Sequence, residues 1–190
     1  IWESMRKTVE CGLSREGYLP GALHIERKAP TLYRSFCRDK GDEKRLICSY
    51  AYATAEENAS GGTIVTAPTC GASGVLPAVL MYLQYKHSVS DETIFRALAA
   101  AGMVGNVVKT NASVSGAEAG CQAEIGTASA MAAGALTSLR GGDPQQIGHA
   151  AAMALKNLMG LVCDPVAGLV EVPCVKRNVV GAVNAVSCAD

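Results

Sequence analysis

The chain has 190 residues and a mass of 19.6 kDa, which is the size of one domain and excludes a long multidomain protein. Its 17 basic and 17 acidic residues give zero formal charge, which excludes the basic surface of a general nucleic-acid or anionic-membrane binder. Charged residues make up only 18% and hydrophobic residues 49%, so we expect a folded chain rather than a disordered one.

The charge distribution predicts two parts. Residues 1–60 hold 19 of the 34 charged residues, whereas 61–190 hold the other 15 in more than twice the length. We therefore expect a peripheral, more charged segment at 1–60 and a helical core at 61–190. Within the first part, proline and glycine at 17–30 indicate an irregular connection, and 45–58 has the pattern of a helix.

The next elements are mostly helical. Only Gly62–Ala67 has the character of a strand, and a helix is predicted from Gly74 to about Lys86. Ser90 is a suitable N-cap for the following helix, in which Gly102 and Gly105 suggest a close helix crossing. Apolar residues of that helix recur at helical spacing: Ile94, Leu98, Ala101, Val104 and Val108.

The last third is also predicted to be helical. Residues 117–139 are typical of one long buried helix, and Asp143 followed by Pro144 is typical of the start of the next. A loop from Cys163 to Cys174 and a final helix over 175–188 follow. With 30 alanines, 20 glycines and only nine aromatic residues, the chain predicts an all-α fold, a compact Ala/Gly-rich helical bundle. The alternative is that alanine is abundant only as a good helix former.

Cysteine usage suggests a reducing compartment. The chain has eight cysteines and begins at Ile1 without a secretory pattern, so we expect an excerpt of a longer cytoplasmic protein with unpaired thiols. The longest uncharged stretch, 58–85, contains two prolines and four glycines, which argues against a membrane-spanning helix.

A first candidate site is the loop Thr-Ala-Pro-Thr-Cys-Gly-Ala-Ser-Gly at 66–74, here called the hydroxyl loop. It leads into a predicted helix, where backbone amides and the hydroxyls of Thr66, Thr69 and Ser73 would suit a carboxylate or phosphate. An ordinary glycine-rich turn is the alternative, and no lysine follows to make it a P-loop.

A second candidate is residues 109–121, here called the polar segment. It places five polar side chains between two apolar helices: Thr110, Asn111, Ser113, Ser115 and Glu118. Burying them unpaired would cost several kcal/mol, so they must bind water, one another or a ligand. A solvated linker is the alternative.

Three cysteines lie where the chain enters or leaves a predicted helix: Cys121, Cys163 and Cys174. Their separations are 42 and 11 residues, and the absence of a CxxC pattern argues against a zinc finger or a ferredoxin-type cluster. Spacing alone favours ordinary buried thiols, an interpretation that we keep for the other five cysteines. The three histidines form no Ser-His-Asp or HExxH pattern.

Four motifs in order resemble the α chain of bacterial iron–sulfur L-serine dehydratase, over about residues 60–188. They are Thr66-Ala-Pro-Thr…Gly71-Ala-Ser-Gly74, Asn111-Ala-Ser-Val-Ser-Gly-Ala-Glu…Gly120-Cys-Gln-Ala-Glu124, Cys163-Asp-Pro-Val-Ala-Gly168 and Val172-Pro-Cys-Val-Lys-Arg-Asn178. The run at 157–163 is more similar to the two-chain form of the enzyme than to the fused form.

The resemblance implies a [4Fe–4S] cluster held by the thiolates of Cys121, Cys163 and Cys174, with one iron left for the substrate. It also implies a β chain or β domain and a homo-oligomer. The β portion and the family's C-terminal tail cysteine are expected to be missing from this chain.

The implied activity is that of an L-serine ammonia-lyase in amino-acid catabolism and gluconeogenesis. Water is eliminated from L-serine, with iron as Lewis acid, and pyruvate and ammonia result. The hydroxyl loop (Thr66, Thr69 and Ser73) and the polar segment (Asn111, Ser113 and Ser115) are the expected holders of the substrate carboxylate and ammonium. The base stays open among Glu118, Glu124, Lys109 and the β portion.

Three other functions compete with this interpretation. A pyridoxal-phosphate enzyme would need a Schiff-base lysine in a strand-rich fold, which the helical pattern disfavours. A cysteine desulfidase on the same scaffold is compatible with the sequence. A non-enzymatic zinc or thiol protein would use the same cysteines structurally.

Overall fold

The computed structural model describes residues 1–189; Asp190, the last residue of the predicted core, lies outside this range. Nine α-helices are found in it: α1 (Trp2–Ser14), α2 (Ala29–Arg38), α3 (Glu43–Ala59), α4 (Val75–His87), α5 (Asp91–Asn111), α6 (Gly116–Ala119), α7 (Cys121–Leu139), α8 (Pro144–Lys156) and α9 (Cys174–Cys188). A 3₁₀ turn, Val166–Gly168, lies in the loop before α9. Residues 1–189 contain no strand, which confirms the all-α prediction.

Two local predictions are wrong. The segment Gly62–Ala67 is not a strand, because no neighbouring extended segment in residues 1–189 pairs with it. The single helix predicted over 117–139 is two helices, α6 and α7, separated at Gly120. The φ of Gly120 is +79°, and this left-handed conformation is incompatible with a continuous right-handed helix.

The centre of the bundle is α7, in which 15 of 19 residues are buried. It packs against α4, α5, α8 and α9. Small residues allow these helices to approach closely, as at Gly105 of α5, where an added Cβ would lie 3.0 Å from Sδ of Met131. The close crossing predicted at Gly105 is thus confirmed. At Gly102 it is wrong, because an added Cβ there would meet nothing within 4 Å.

A second buried helix, α3, comes from the more charged part of the chain. Eleven of its 17 residues are buried, and it packs against α1, α2, α4 and α9. A buried ion pair joins Arg27 to Glu57, with 2.9 Å between Nη1 and Oε1. The division of the chain at residue 60 stays a prediction.

The predicted helix caps are confirmed. The hydroxyl of Ser90 accepts from the Thr93 amide at 3.3 Å, and Asp143 forms a capping box with Gln146 at the start of α8. These caps satisfy amides that have no partner within the helix. Within residues 1–189, every helix is too short or too polar to cross a membrane.

Candidate functional site

The hydroxyl loop is fastened to the start of α9 by Asn178. Its Oδ1 accepts from the Gly74 amide at 2.9 Å, and its Nδ2 donates to the Gly71 carbonyl at 2.7 Å and to the Cys174 carbonyl at 2.9 Å. The side chain is 1% exposed, so these bonds form without competition from water. The N-termini of α4 and α9 are therefore held side by side.

Glu124, in the first turn of α7, connects the hydroxyl loop with the polar segment. The Thr69 hydroxyl donates to its Oε1. A Cβ at either Gly71 or Gly116 would collide with its carboxylate oxygens unless the Glu124 side chain moved, so both backbones lie directly against this carboxylate. One carboxylate thus lies between the two segments.

The thiols of Cys121 and Cys174 meet beside Glu124. Each is the first residue of its helix, α7 or α9, and the two side chains lie close to each other. Burial and the neighbouring Cys121 and Glu124 raise the pKa of the Cys174 thiol above its ordinary value. A metal ion that binds here must therefore displace a proton from Cys174.

The loop 161–173, here called the cysteine loop, runs alongside these thiols. The Leu161 carbonyl accepts from the Gln122 amide at 2.9 Å. Arg177 of α9 donates through Nη1 to the Val162 carbonyl at 2.9 Å and to Oδ1 of Asp164 at 2.7 Å. Cys163, between these two anchored neighbours, is exposed.

The comparison with known proteins agrees with this clustering of motifs. The whole chain, residues 1–190, matches a family model described as serine dehydratase alpha chain. The chain belongs to this family. Over its whole length it is 48% identical to the L-serine dehydratase of Streptomyces coelicolor, 47% to the L-serine dehydratase TdcG of Escherichia coli and 44% to the L-serine dehydratase of Helicobacter pylori. It spans 42%, 43% and 44% of those relatives, respectively.

The cysteines of this serine dehydratase alpha chain are a suitable donor set for an iron–sulfur cluster. All eight cysteines lie within residues 1–189 and are free thiols. Within the same residues, no three side chains of His, Cys, Asp or Glu are already grouped to hold a metal ion. Cys121 and Cys174 lie together and Cys163 is on the adjacent loop, so neighbouring segments supply thiols, the ligand type by which iron–sulfur clusters are held.

The hydroxyl loop contributes two of its three predicted side chains to this region. Thr69 is bonded to Glu124, and Ser73 is 1% exposed with a buried hydroxyl that lacks a hydrogen-bond partner among the described residues. Thr66 is exposed at the start of the loop. The Gly74 amide is already bonded to Asn178, so the loop has fewer free amides for an anion than its sequence suggests.

The predicted residues of the polar segment make only local hydrogen bonds. Asn111 donates to the Val107 carbonyl of its own helix at 2.8 Å. Ser113 donates to Glu118 at 2.6 Å, and Ser115 accepts from the Glu118 amide at 3.3 Å as the cap of α6. Among the described residues, none of these three side chains is hydrogen-bonded to Cys121, Cys163 or Cys174.

Sequence reasoning missed two residues of this site, Arg177 and Asn178, and considered Glu124 only as a base. The missing signal was helical spacing. Glu124 follows Cys121 by three positions, and Arg177 and Asn178 follow Cys174 by three and four. Residues so spaced share a helix face with the cysteine, so they lie on its side of the helix.

Proposed function

We propose that this chain carries the cluster-binding part and most of the substrate-binding part of an L-serine ammonia-lyase. The reaction eliminates water from L-serine and yields pyruvate and ammonia. The observation that supports this most directly is the meeting of Cys121, Cys174 and Glu124 at the N-termini of two buried helices, next to the hydroxyl loop. Family membership and the names of the relatives agree with it.

Cys121, Cys163 and Cys174 would hold a [4Fe–4S] cluster. When bound, this group supplies a Lewis acid that makes the serine hydroxyl a better leaving group. The N-termini of α7 and α9, where Cys121 and Cys174 lie, suit a negatively charged thiolate-bound group, because the positive end of a helix dipole stabilises negative charge.

The substrate carboxylate is assigned to the hydroxyl loop. Ser73 has a buried hydroxyl without a partner among the described residues, and such a group gains most from a hydrogen bond to a ligand. It lies directly before α4, whose dipole favours an anion at this end. Thr66, at the exposed edge of the loop, is also proposed to bind the substrate carboxylate. Its hydroxyl would make this contact only with a substrate that is already ordered in the site.

Glu124 is the proposed base for the proton on Cα of serine. Among the three candidates within the chain, it alone lies next to Cys174. Glu118 is exposed and bonded to Ser113, and Lys109 is exposed on α5. The Thr69 hydroxyl, by donating to Glu124, fixes the direction in which the carboxylate oxygens point.

The polar segment is proposed to form the outer wall of the substrate site. Asn111, Ser113 and Ser115 bond locally here, so a role in holding the ammonium requires these bonds to exchange when substrate binds. The relatives are more than twice as long as this chain, which supports a β chain or β domain as partner. A homo-oligomer and a cytoplasmic location, in keeping with eight free thiols, complete the proposal.

Anaerobic reconstitution of the complete enzyme with iron and sulfide tests this function. We expect bound iron and sulfide together with release of pyruvate and ammonia from L-serine. Sulfide release from L-cysteine in preference to ammonia from L-serine would favour a desulfidase. A colourless protein that retains zinc and takes up no iron would contradict the proposal and favour a structural thiol site.

A further inference from the structure

Arg177 bridges the segments that carry the three proposed cluster ligands. It lies on α9 one turn after Cys174, and its guanidinium lies close to the thiol of Cys121. Its Nη1 donates to the Val162 carbonyl at 2.9 Å and to Oδ1 of Asp164 at 2.7 Å. Val162 and Asp164 are the chain neighbours of Cys163, so this one side chain holds the backbone carbonyl before the exposed thiol and the side chain of the residue after it.

The guanidinium is held as a cation in a largely enclosed position. The Arg177 side chain is 14% exposed, against 54% for Asp164. A guanidinium is not deprotonated in proteins, and here it is paired with a carboxylate through the 2.7 Å hydrogen bond to Oδ1 of Asp164. A permanent positive charge therefore lies among groups that become negative when thiolates form.

Arginine suits this position better than lysine. Its planar group offers five donors in a fixed arrangement, so it bonds a carbonyl and a carboxylate at once while its charge lies close to the Cys121 thiol. A lysine ammonium is a point charge on a flexible stem. It would keep the positive charge without fixing the directions of the hydrogen bonds to Val162 and Asp164.

We propose that Arg177 is the positioning residue that holds Cys163 beside Cys121 and Cys174 for cluster binding. This inference rests on the proposed function and deepens it. Groups that orient the ligands of a metal are worth about 10–100-fold in metal affinity. Hydrogen bonds to the sulfurs and local charge also set the reduction potential of an iron–sulfur cluster, and a cation beside Cys121 favours the reduced, more negative state.

The test compares Arg177→Gln and Arg177→Lys in the complete enzyme after anaerobic reconstitution. Iron and sulfide per chain are measured, and thiols shielded by the cluster are identified by alkylation and mass spectrometry.

For Arg177→Gln we expect about 10–100-fold weaker iron retention. Cys163 should be alkylated while Cys121 and Cys174 stay shielded, a pattern that general destabilisation does not produce. Arg177→Lys should be intermediate, and any cluster retained by Arg177→Gln should have a lower reduction potential.

Arg96→Gln is the matched control, because Arg96 also pairs with a carboxylate, Glu92, at 2.7 Å but on an exposed face of α5. It should behave as the wild type. Asp164→Asn keeps an accepting oxygen but removes the negative charge that pairs with Arg177, so it should expose Cys163 partly. This variant tests the role of Arg177 if far-UV circular dichroism shows that Arg177→Gln does not fold.

The outcomes separate this inference from the proposed function. Equal iron retention and equal shielding of Cys163 in wild type, Arg177→Gln and Asp164→Asn would overturn the role of Arg177 and leave the cluster site standing. A wild type that takes up no iron would overturn the proposed function, and the role of Arg177 with it.

Discussion

Gly74 and Asn178, 104 positions apart in the chain, are joined by a hydrogen bond of 2.9 Å from the Gly74 amide to the Asn178 side chain. The same side chain donates to Gly71, so it fixes both ends of the turn that leads into α4. This contact sets the distance between the proposed carboxylate site and the first turn of α9. The position of Cys174 relative to the hydroxyl loop therefore depends on the buried side-chain amide of Asn178, which takes no part in the proposed reaction.

Asn178→Ala should destabilise the protein substantially. The change leaves the buried Gly74 amide and the half-buried Gly71 carbonyl without their partner, at about 1–3 kcal/mol each, so we expect a loss of about 2–6 kcal/mol in the free energy of unfolding. Urea denaturation measures this. Asn106→Ala, on an exposed position of α5, should change it by less than about 0.5 kcal/mol. Equal effects of the two substitutions would contradict the anchoring role of Asn178.

Local sequence patterns were sufficient for the helices and their caps. Ser90 and Asp143 are short-range signals, because a cap bonds amides only two or three positions away. The break at Gly120 was not predictable in this way. Its φ of +79° accompanies the contact of Gly120 with the backbone at Leu161, and contacts between residues so far apart are not visible in local patterns.

The candidate site was predictable in its cysteines and only partly in its other residues. The family motifs indicated Cys121, Cys163, Cys174 and the hydroxyl loop, whereas Arg177 was recognisable only once its contacts with Val162 and Asp164 were seen. The motifs specify residue types along the chain. They do not specify which amides and hydroxyls of a loop already have hydrogen-bond partners. For this reason the local hydrogen bonds of the polar segment were not predicted from the motifs.

The proposed ligand cysteines should differ from the remaining cysteines in iron binding. Substituting Cys121, Cys163 or Cys174 by alanine in the complete enzyme should abolish bound iron and activity, because each removes one of three thiolates. Cys37→Ala, at an exposed position, and Cys48→Ala should leave both intact. Iron content and pyruvate formation are measured after anaerobic reconstitution. Full activity in any of the first three variants would remove that thiol from the ligand set.

Glu124→Gln should separate catalysis from cluster binding. The amide keeps the shape of the carboxylate and still accepts from Thr69, but it is not a base, so we expect kcat to fall by about 10²–10⁴-fold. Iron content should be unchanged. Glu118→Gln, at an exposed position bonded to Ser113, is the matched control and should keep kcat within a few-fold. A normal kcat in Glu124→Gln would leave the base to the β portion.

Glu56 should make stability depend on pH. This carboxyl group is 1% exposed, and burial raises its pKa despite hydrogen bonds from the Lys28 and Ala29 amides. A folded-state pKa above the unfolded value of about 4.3 means that the folded state binds the proton more tightly. The contribution of Glu56 to stability is therefore lost as the pH rises through its folded pKa.

Glu56→Gln removes this proton-binding site. Urea denaturation at pH 4 and pH 7 gives the free energy of unfolding of the wild type and of the variant. The wild-type value minus the variant value should be more negative at pH 7 than at pH 4. Glu118→Gln, at an exposed position, provides the comparison and should show no such trend. The same pH dependence in wild type and Glu56→Gln would show that Glu56 is not the cause.

Gly120→Ala and Gly102→Ala should have opposite effects on stability. At Gly120 the φ of +79° is strained for alanine, and its Cβ would lie 2.6 Å from the Leu161 carbonyl oxygen, so we expect a loss of at least about 1 kcal/mol and displacement of Cys121. At Gly102, within α5, an added Cβ meets nothing within 4 Å, so alanine should stabilise the helix by about 0.5–1 kcal/mol. Thermal unfolding of both variants measures these changes, and iron retention should fall only in Gly120→Ala. A Gly120→Ala variant as stable as the wild type would show that the turn before Cys121 tolerates a side chain. The close contact between this turn and the cysteine loop would then not determine the position of the Cys121 thiol.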